Sequence, residues 1–224
     1  MKKKIVTISD THSLHNQVNI PDGDILLCAG DITNKGDLSD VTRFNYFLSG
    51  LPHKHKVSIA GNHDFCFEDG RKDHARKDLS VCEYLCDEWV NVDGLKIYGS
   101  PWQPWFYDWA FNLQRGQELK EKWAMIPDDT DILITHGPPM GILDYTLMDK
   151  KNVGCQDLLD RINEIKPKLH LFGHIHEGYG TDKIGETLFV NASTCTLRYQ
   201  PINKPIVIIY DSDTGEFEVE PEEE

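Results

Sequence analysis

Short apolar runs, each ending in a polar side chain able to bind a ligand, recur along this chain of 224 residues. Ile5-Val6-Thr7-Ile8 leads to Asp10, Ile25-Leu26-Leu27-Cys28 to Asp31, and Val57-Ser58-Ile59-Ala60 to Asn62-His63-Asp64. Ile132-Leu133-Ile134-Thr135 leads to His136, and Leu169-His170-Leu171-Phe172 to His174. Runs this short, bounded by turn chemistry, predict buried strands. Further strands are expected over 95–99, 187–191, 206–210 and 216–219, the last at a sheet edge. Between them lie helical patterns. Asp37 is placed to cap a helix whose Val41, Phe44, Phe47 and Leu48 face the core and which ends at Gly50. Two more helices are expected over 117–126 and 156–165, the latter stopped before Pro167. Cys82 and Cys86, four apart, also read as one face of a helix. Strands alternating with helices imply an α/β fold, and this many strands imply two packed mixed β-sheets flanked by helices. Five strands would then deliver their polar residues to one rim, where ligands bind in open α/β sheets.

Composition narrows the class. Hydrophobic residues at 39% and charged residues at 27% are globular values, which exclude disorder and a disulfide-stapled miniprotein. One domain over residues 1–224 is expected, large enough to bury roughly 70% of its unfolded surface, with residues 220–224 as a flexible acidic tail. No apolar run approaches the ~18 residues of a membrane helix. The front of three lysines precedes too short an apolar stretch for a signal peptide, so a soluble cytoplasmic protein with no membrane partner is expected. The six cysteines include no C-x-x-C pair and read as reduced thiols. The net charge of −14 argues against duplex nucleic acid as a partner, although local cations could still draw in a small anion.

Candidate chemistry comes from one ordered set. His53-Lys54-His55 has the H-x-H spacing but no strand before it, and reads as a solvated loop. Gly61-Asn62-His63-Asp64 carries more weight, since composition alone yields fewer than about one such match per hundred chains of this kind. Together with Asp10-x-His12, Gly30-Asp31, His136 and Gly173-His174-x-His176 it reads as a two-metal site. Asp10, His12 and His176 offer a carboxylate and two imidazoles; Asn62, His136 and His174 offer an amide oxygen and two imidazoles. Asp31 can serve both ions, because a carboxylate can be shared between cations ~3.5–4 Å apart. Nitrogen and oxygen ligands without thiolate suit Mn²⁺, Fe, Co²⁺ or Zn²⁺. Such ions would lower the pKa of a shared water and hold phosphoryl oxygens as charge builds. His63, outside the ligand count, would protonate the leaving oxygen, oriented by Asp64.

This ordered set resembles the calcineurin-like metallophosphoesterase superfamily. The stretches Thr135-His136-Gly137-Pro138-Pro139, residues 168–180 and Asn191-Ala192-Ser193-Thr194-Cys195 resemble one branch more closely. That branch is the metallophosphoesterase-domain-containing proteins, related to class III cyclic-nucleotide phosphodiesterases. The resemblance implies a four-layer α/β-β/α sandwich, a dinuclear centre often active with Mn²⁺, and hydrolysis of a small phosphodiester, with a cyclic nucleotide as the best guess. Gly30-Asp31-Ile32-Thr33-Asn34 lacks the arginine that follows G-D in Ser/Thr protein phosphatases, which argues against that activity. A phosphomonoesterase or nucleotide pyrophosphohydrolase on the same centre is the enzymatic alternative, and a non-catalytic binding scaffold the remote one. The oligomeric state is left open, a homodimer included. The aromatic segment 101–111 reads equally as a packed loop or as a wall on which a nucleobase stacks, with Trp102 its first candidate; Arg198 is the candidate for pairing with a substrate phosphate. His15, His53, His55, His74 and His170 read as structural or surface histidines.

Overall fold

The structure is a computed structural model and describes residues 1–221. In chain order its strands begin with β1 (Lys2–Ile8), β2 (Ile25–Cys28), β3 (His55–Ser58), β4 (Glu83–Tyr84), β5 (Glu88–Val92) and β6 (Leu95–Ser100). There follow β7 (Gln103–Pro104), β8 (Asn112–Leu113), β9 (Ile132–Thr135), β10 (Tyr145–Thr146) and β11 (Lys151–Asn152). The last are β12 (Leu169–Phe172), β13 (Gly180–Ile184), β14 (Thr187–Asn191), β15 (Ile206–Asp211) and β16 (Glu216–Val219). The helices are α1 (Leu38–Ser49), α2 (Lys72–Asp78), α3 (Gln117–Trp123) and α4 (Gln156–Ile165).

Two six-stranded mixed sheets result, ordered β16-β15-β1-β2-β3-β4 and β13-β14-β12-β9-β6-β5. In each, four successive strands run parallel, β1 to β4 in the first and β6, β9, β12 and β14 in the second; β15 and β16 join the first, and β5 and β13 the second, antiparallel to their neighbours. Period-two alternation sorts the side chains. Ile5, Ile25, Leu27, Ile132, Ile134, Leu169 and Leu171 point between the sheets and form one core. Val6, Leu26 and Cys28 face the other way and pack under Val41, Phe44 and Leu48 of α1 and Ala75 of α2. Leu133 and Phe172 pack under Leu119 and Trp123 of α3 and Leu158 and Ile162 of α4. The layers are therefore helix, sheet, sheet, helix, as the resemblance implies.

Two expectations are corrected. Cys82 and Cys86 do not share a helix, because Glu83 and Tyr84 between them pair with Val57 and Ser58 of β3. His53-Lys54-His55 is not a solvated loop: His53 is 2% exposed and His55 opens β3. At the acidic end, Glu220 still donates its backbone N–H to Val207 O, so it extends the sheet edge; residues 222–224 of the expected tail lie outside the described residues.

Candidate metal centre

The loops that follow β1 and β2 are laid on each other. Asp10 N donates to Gly30 O at 3.0 Å, His12 N to Asp31 O at 2.9 Å and Ser13 N to Ile32 O at 3.0 Å. Sharp reversals at the strand ends put Asp10, His12, Asp31 and His174 in the left-handed region, with φ of 53°, 43°, 52° and 67°. Close approach requires glycine at two places. A Cβ on Gly173 would overlap Asp10 Oδ2 and Ser9 Oγ, and one on Gly61 would overlap Asp31 Oδ1.

The seven expected ligands lie together at the C-terminal rim of both sheets. His12 Nε2 is 3.3 Å from His176 Nε2, which is 3.4 Å from Asp10 Oδ1. On the other side, His136 Nε2 and His174 Nδ1 both reach Asn62 Oδ1, at 2.9 and 2.8 Å. Asp31 Oδ2 sits between these halves, 3.9 Å from His12 Nε2 and 3.3 Å from His136 Nε2. Asp10, His12, Asp31, Asn62 and His136 are buried, while His174 and His176 are half-buried.

Burial works against ionisation of Asp10 and Asp31, yet the neighbouring imidazoles outweigh it and hold both below the usual carboxylate range. Burial likewise opposes the charged form of His136 and His176, but Asp31 and Asp10 raise them to about 9. His12 and His174, where burial prevails, fall to about 4 and about 3. The charges acting on the two carboxylates are those of histidines, with no Lys or Arg among the main contributors. Two imidazole nitrogens facing each other beside two carboxylates form a donor set that calls for cations. Its mixed nitrogen and oxygen chemistry fits borderline divalent ions. Asp10, His12 and His176 form one group with ligand atoms mutually within reach of a single ion; Asp10, Asp31 and His136 form another, and His12, Asp31 and His63 a third.

His63 lies beside the cluster, its Nε2 4.0 Å from Asp31 Oδ2. Its Nδ1 meets Asn34 O at 2.8 Å, so the ring is oriented by a backbone carbonyl and not by Asp64 as expected. Asp64 uses its oxygens on Gly61 N, Ile32 N, Thr33 N and Thr33 Oγ1, which fixes the turn carrying Asn62 and His63. Burial, then the charge of Asp31, pushes its carboxyl up to about 6 against those hydrogen bonds.

The aromatic segment is divided. Trp102, expected at the site, instead donates Nε1–H to Asp87 Oδ2 at 2.9 Å and lies beneath Lys122 Nζ, packed against Phe111. Trp109 occupies the place expected of Trp102, its ring 4.2 Å from that of His63; Phe106 is 6.4 Å from the His174 ring. Arg198 is exposed, and it is its neighbour Tyr199 that reaches the cluster, with its ring 4.7 Å from His12 and 5.7 Å from His176. Sequence reasoning missed Trp109 and Tyr199 because a loop's pattern does not say which of several aromatic residues turns inward.

The profile of the calcineurin-like phosphoesterase family matches residues 3–178. Over 92% of its length the chain is 47% identical to human metallophosphoesterase domain-containing protein 1, covering 70% of that protein. It is 42% identical to a UPF0046 protein of Caenorhabditis elegans, covering 92% of this chain and 80% of that one. A solved crystal structure superposes with a TM-score of 0.68 at 16% identity, covering 98% of this chain and 99% of that one, a likeness of fold.

Proposed function

Since the chain belongs to the calcineurin-like phosphoesterase family, we propose that it hydrolyses a small nucleotide-like phosphodiester at a dinuclear centre, with Mn²⁺ the preferred ion and cyclic nucleotides the first substrates to test. Asp10, His12 and His176 would hold one ion, Asn62, His136 and His174 the other, and Asp31 both. When bound, the ions supply Lewis-acid charge for the phosphoryl oxygens and a water nucleophile near neutral pH.

The observation that carries the reading is the orientation of His63. A carbonyl can only accept, so the contact with Asn34 O puts a proton on Nδ1 and turns Nε2 toward Asp31 Oδ2. When Nε2 is also protonated, the imidazolium is held by that carbonyl and can release its proton to a leaving alkoxide. Diesters are favoured by charge. A dianionic monoester or diphosphate gains from a Lys or Arg beside the metals, and histidines dominate here. The flat faces of Trp109 and Tyr199 beside His63 and His12 suit a ring-bearing leaving group.

The test is hydrolysis of bis-p-nitrophenyl phosphate beside p-nitrophenyl phosphate, on protein stripped of metal and reloaded with Mn²⁺, followed by a panel of cyclic nucleotides. Faster diester cleavage is expected. Preference for the monoester would move the assignment to a phosphatase, and inactivity on every ester with Mn²⁺ bound would overturn the enzymatic reading in favour of a binding role.

A further inference from the structure

Asn191, Ser193 and Thr194 are buried polar residues outside the proposed ligand sets. Their segment bridges the two sheets. Asn191 ends β14, in register with Phe172 of β12, and Ser193 makes an isolated parallel bridge to Ser9, just past β1. Thr194 N donates to Ser9 O at 2.8 Å.

Two side chains here reach the cluster from behind. Ser193 Oγ lies 3.0 Å from Asp10 Oδ2 and 2.8 Å from Asn191 Oδ1. Asn191 Nδ2 donates at 2.8 Å to the carbonyl of Ile175, the residue between His174 and His176. One hydroxyl and one amide thus connect Asp10, on the first sheet, to the turn carrying two histidines on the second. The oxygens of Asp10 are divided accordingly. Oδ1 faces His176 and His12 and Oδ2 receives the Ser193 hydroxyl, while the His174 N–H is shared between the two at 3.1 and 3.0 Å. The hydroxyl has one proton for two acceptors, and the carboxylate is the stronger one. Asn191 Oδ1 retains the Ser193 N–H at 3.1 Å.

We propose that Ser193 and Asn191 are positioning residues of the metal centre: they fix which oxygen Asp10 presents and hold His176 at its distance from it. This rests on the reading of the cluster as a metal site. Loss of a partner that orients a ligand typically costs ~10–100-fold in metal affinity.

Equilibrium dialysis of Mn²⁺ tests it. Ser193→Ala should weaken one of two sites at least ~10-fold and leave the other unchanged, and Ser193→Thr, which keeps the hydroxyl, should recover most of the loss. In an Asp10→Asn background, Ser193→Ala should have no further effect on affinity, because Ser193 acts through that carboxylate. Asn191→Asp keeps the shape but loses the N–H that holds Ile175 O, and should weaken the same site. The melting temperature of each metal-free variant controls for a purely structural effect. Unchanged affinity in Ser193→Ala, or an undiminished loss in the Asp10→Asn background, overturns the inference while the metal reading stands. Wild-type protein that takes up no Mn²⁺, Fe²⁺, Co²⁺ or Zn²⁺ overturns both.

Discussion

Asp10, His12, Asp31 and His174 sit in left-handed backbone that costs a non-glycine residue about 1–2 kcal/mol. Such strain is tolerated where a side chain must be aimed, and all four are aimed at one cluster. His63 differs in being oriented by a carbonyl and left out of the proposed ligand sets. His63→Ala should therefore retain bound Mn²⁺ and lose turnover by ~10²–10⁴-fold. The loss should be greatest for alkoxide leaving groups and small for p-nitrophenolate, which needs no proton; an equal loss for both would sink the general-acid role. A second histidine makes a structural prediction. His170 is buried, and since Thr135 Oγ1 donates its proton to Gly137 O, His170 Nε2 must carry the hydrogen shared with Thr135. Its Nδ1 has no partner among the described residues, and burial lowers the pKa to about 3. The unfolded chain thus binds the proton first. Its contribution to stability is complete above about pH 6.5 and falls by about 1.4 kcal/mol per pH unit as pH drops toward the folded value. Urea unfolding of metal-free protein between pH 6.5 and 5 should show this share of the slope missing in His170→Gln. A variant with the full wild-type slope would place the titration elsewhere.

At the scale of elements, strand ends do the positioning, and glycine is what lets two of them meet. Gly173→Ala adds one methyl group where Asp10 Oδ2 and Ser9 Oγ already lie, so Asp10 must move. Loss of Mn²⁺ binding at the Asp10 half is expected, together with about 1–3 kcal/mol of destabilisation from overpacking. Full metal occupancy in that variant, measured by atomic absorption after gel filtration, would contradict the packing argument. The elements that carry the cluster were also the legible ones. β1, β2, β3, β9 and β12 are central strands, so they read as continuous apolar runs with a ligand at the end. β5 and β13 escaped notice because edge strands have solvated faces and read as polar, as Glu88-Trp89-Val90-Asn91 and Thr181-Asp182-Lys183 do. α2 buries only Ala75 and so shows no apolar stripe. Cys82, Leu85 and Cys86 have helical spacing, but the backbone pairing of Glu83 and Tyr84 with β3 overrides it. Trp102 and Trp109 could not be told apart, because a loop's direction is set by distant partners, here Asp87 and Lys122 for Trp102.

Across the whole molecule, the cluster draws its donors from both sheets. Asp10, His12, Asp31 and Asn62 follow strands of the first, and His136, His174 and His176 follow strands of the second. The protein carries a net charge of −14, so its field repels polyanions, while a pocket that held cations would attract a small phosphate ester. Ions held between the sheets would bind the folded chain and not the unfolded one, which links metal to stability. At a free concentration one hundred times each Kd, two sites contribute about 5 kcal/mol. For a domain of this size that is a rise of roughly 10–20 °C in Tm. Scanning calorimetry with Mn²⁺ and with a chelator should show it. Asp31 decides how the rise is divided, since its Oδ2 faces His12 in one half and His136 in the other. Asp31→Asn should therefore remove most of the metal-dependent rise, whereas His176→Ala, which touches one half, should remove about half of it. Two fully occupied sites and an intact rise in Asp31→Asn would show that the halves bind their ions independently of the carboxylate between them.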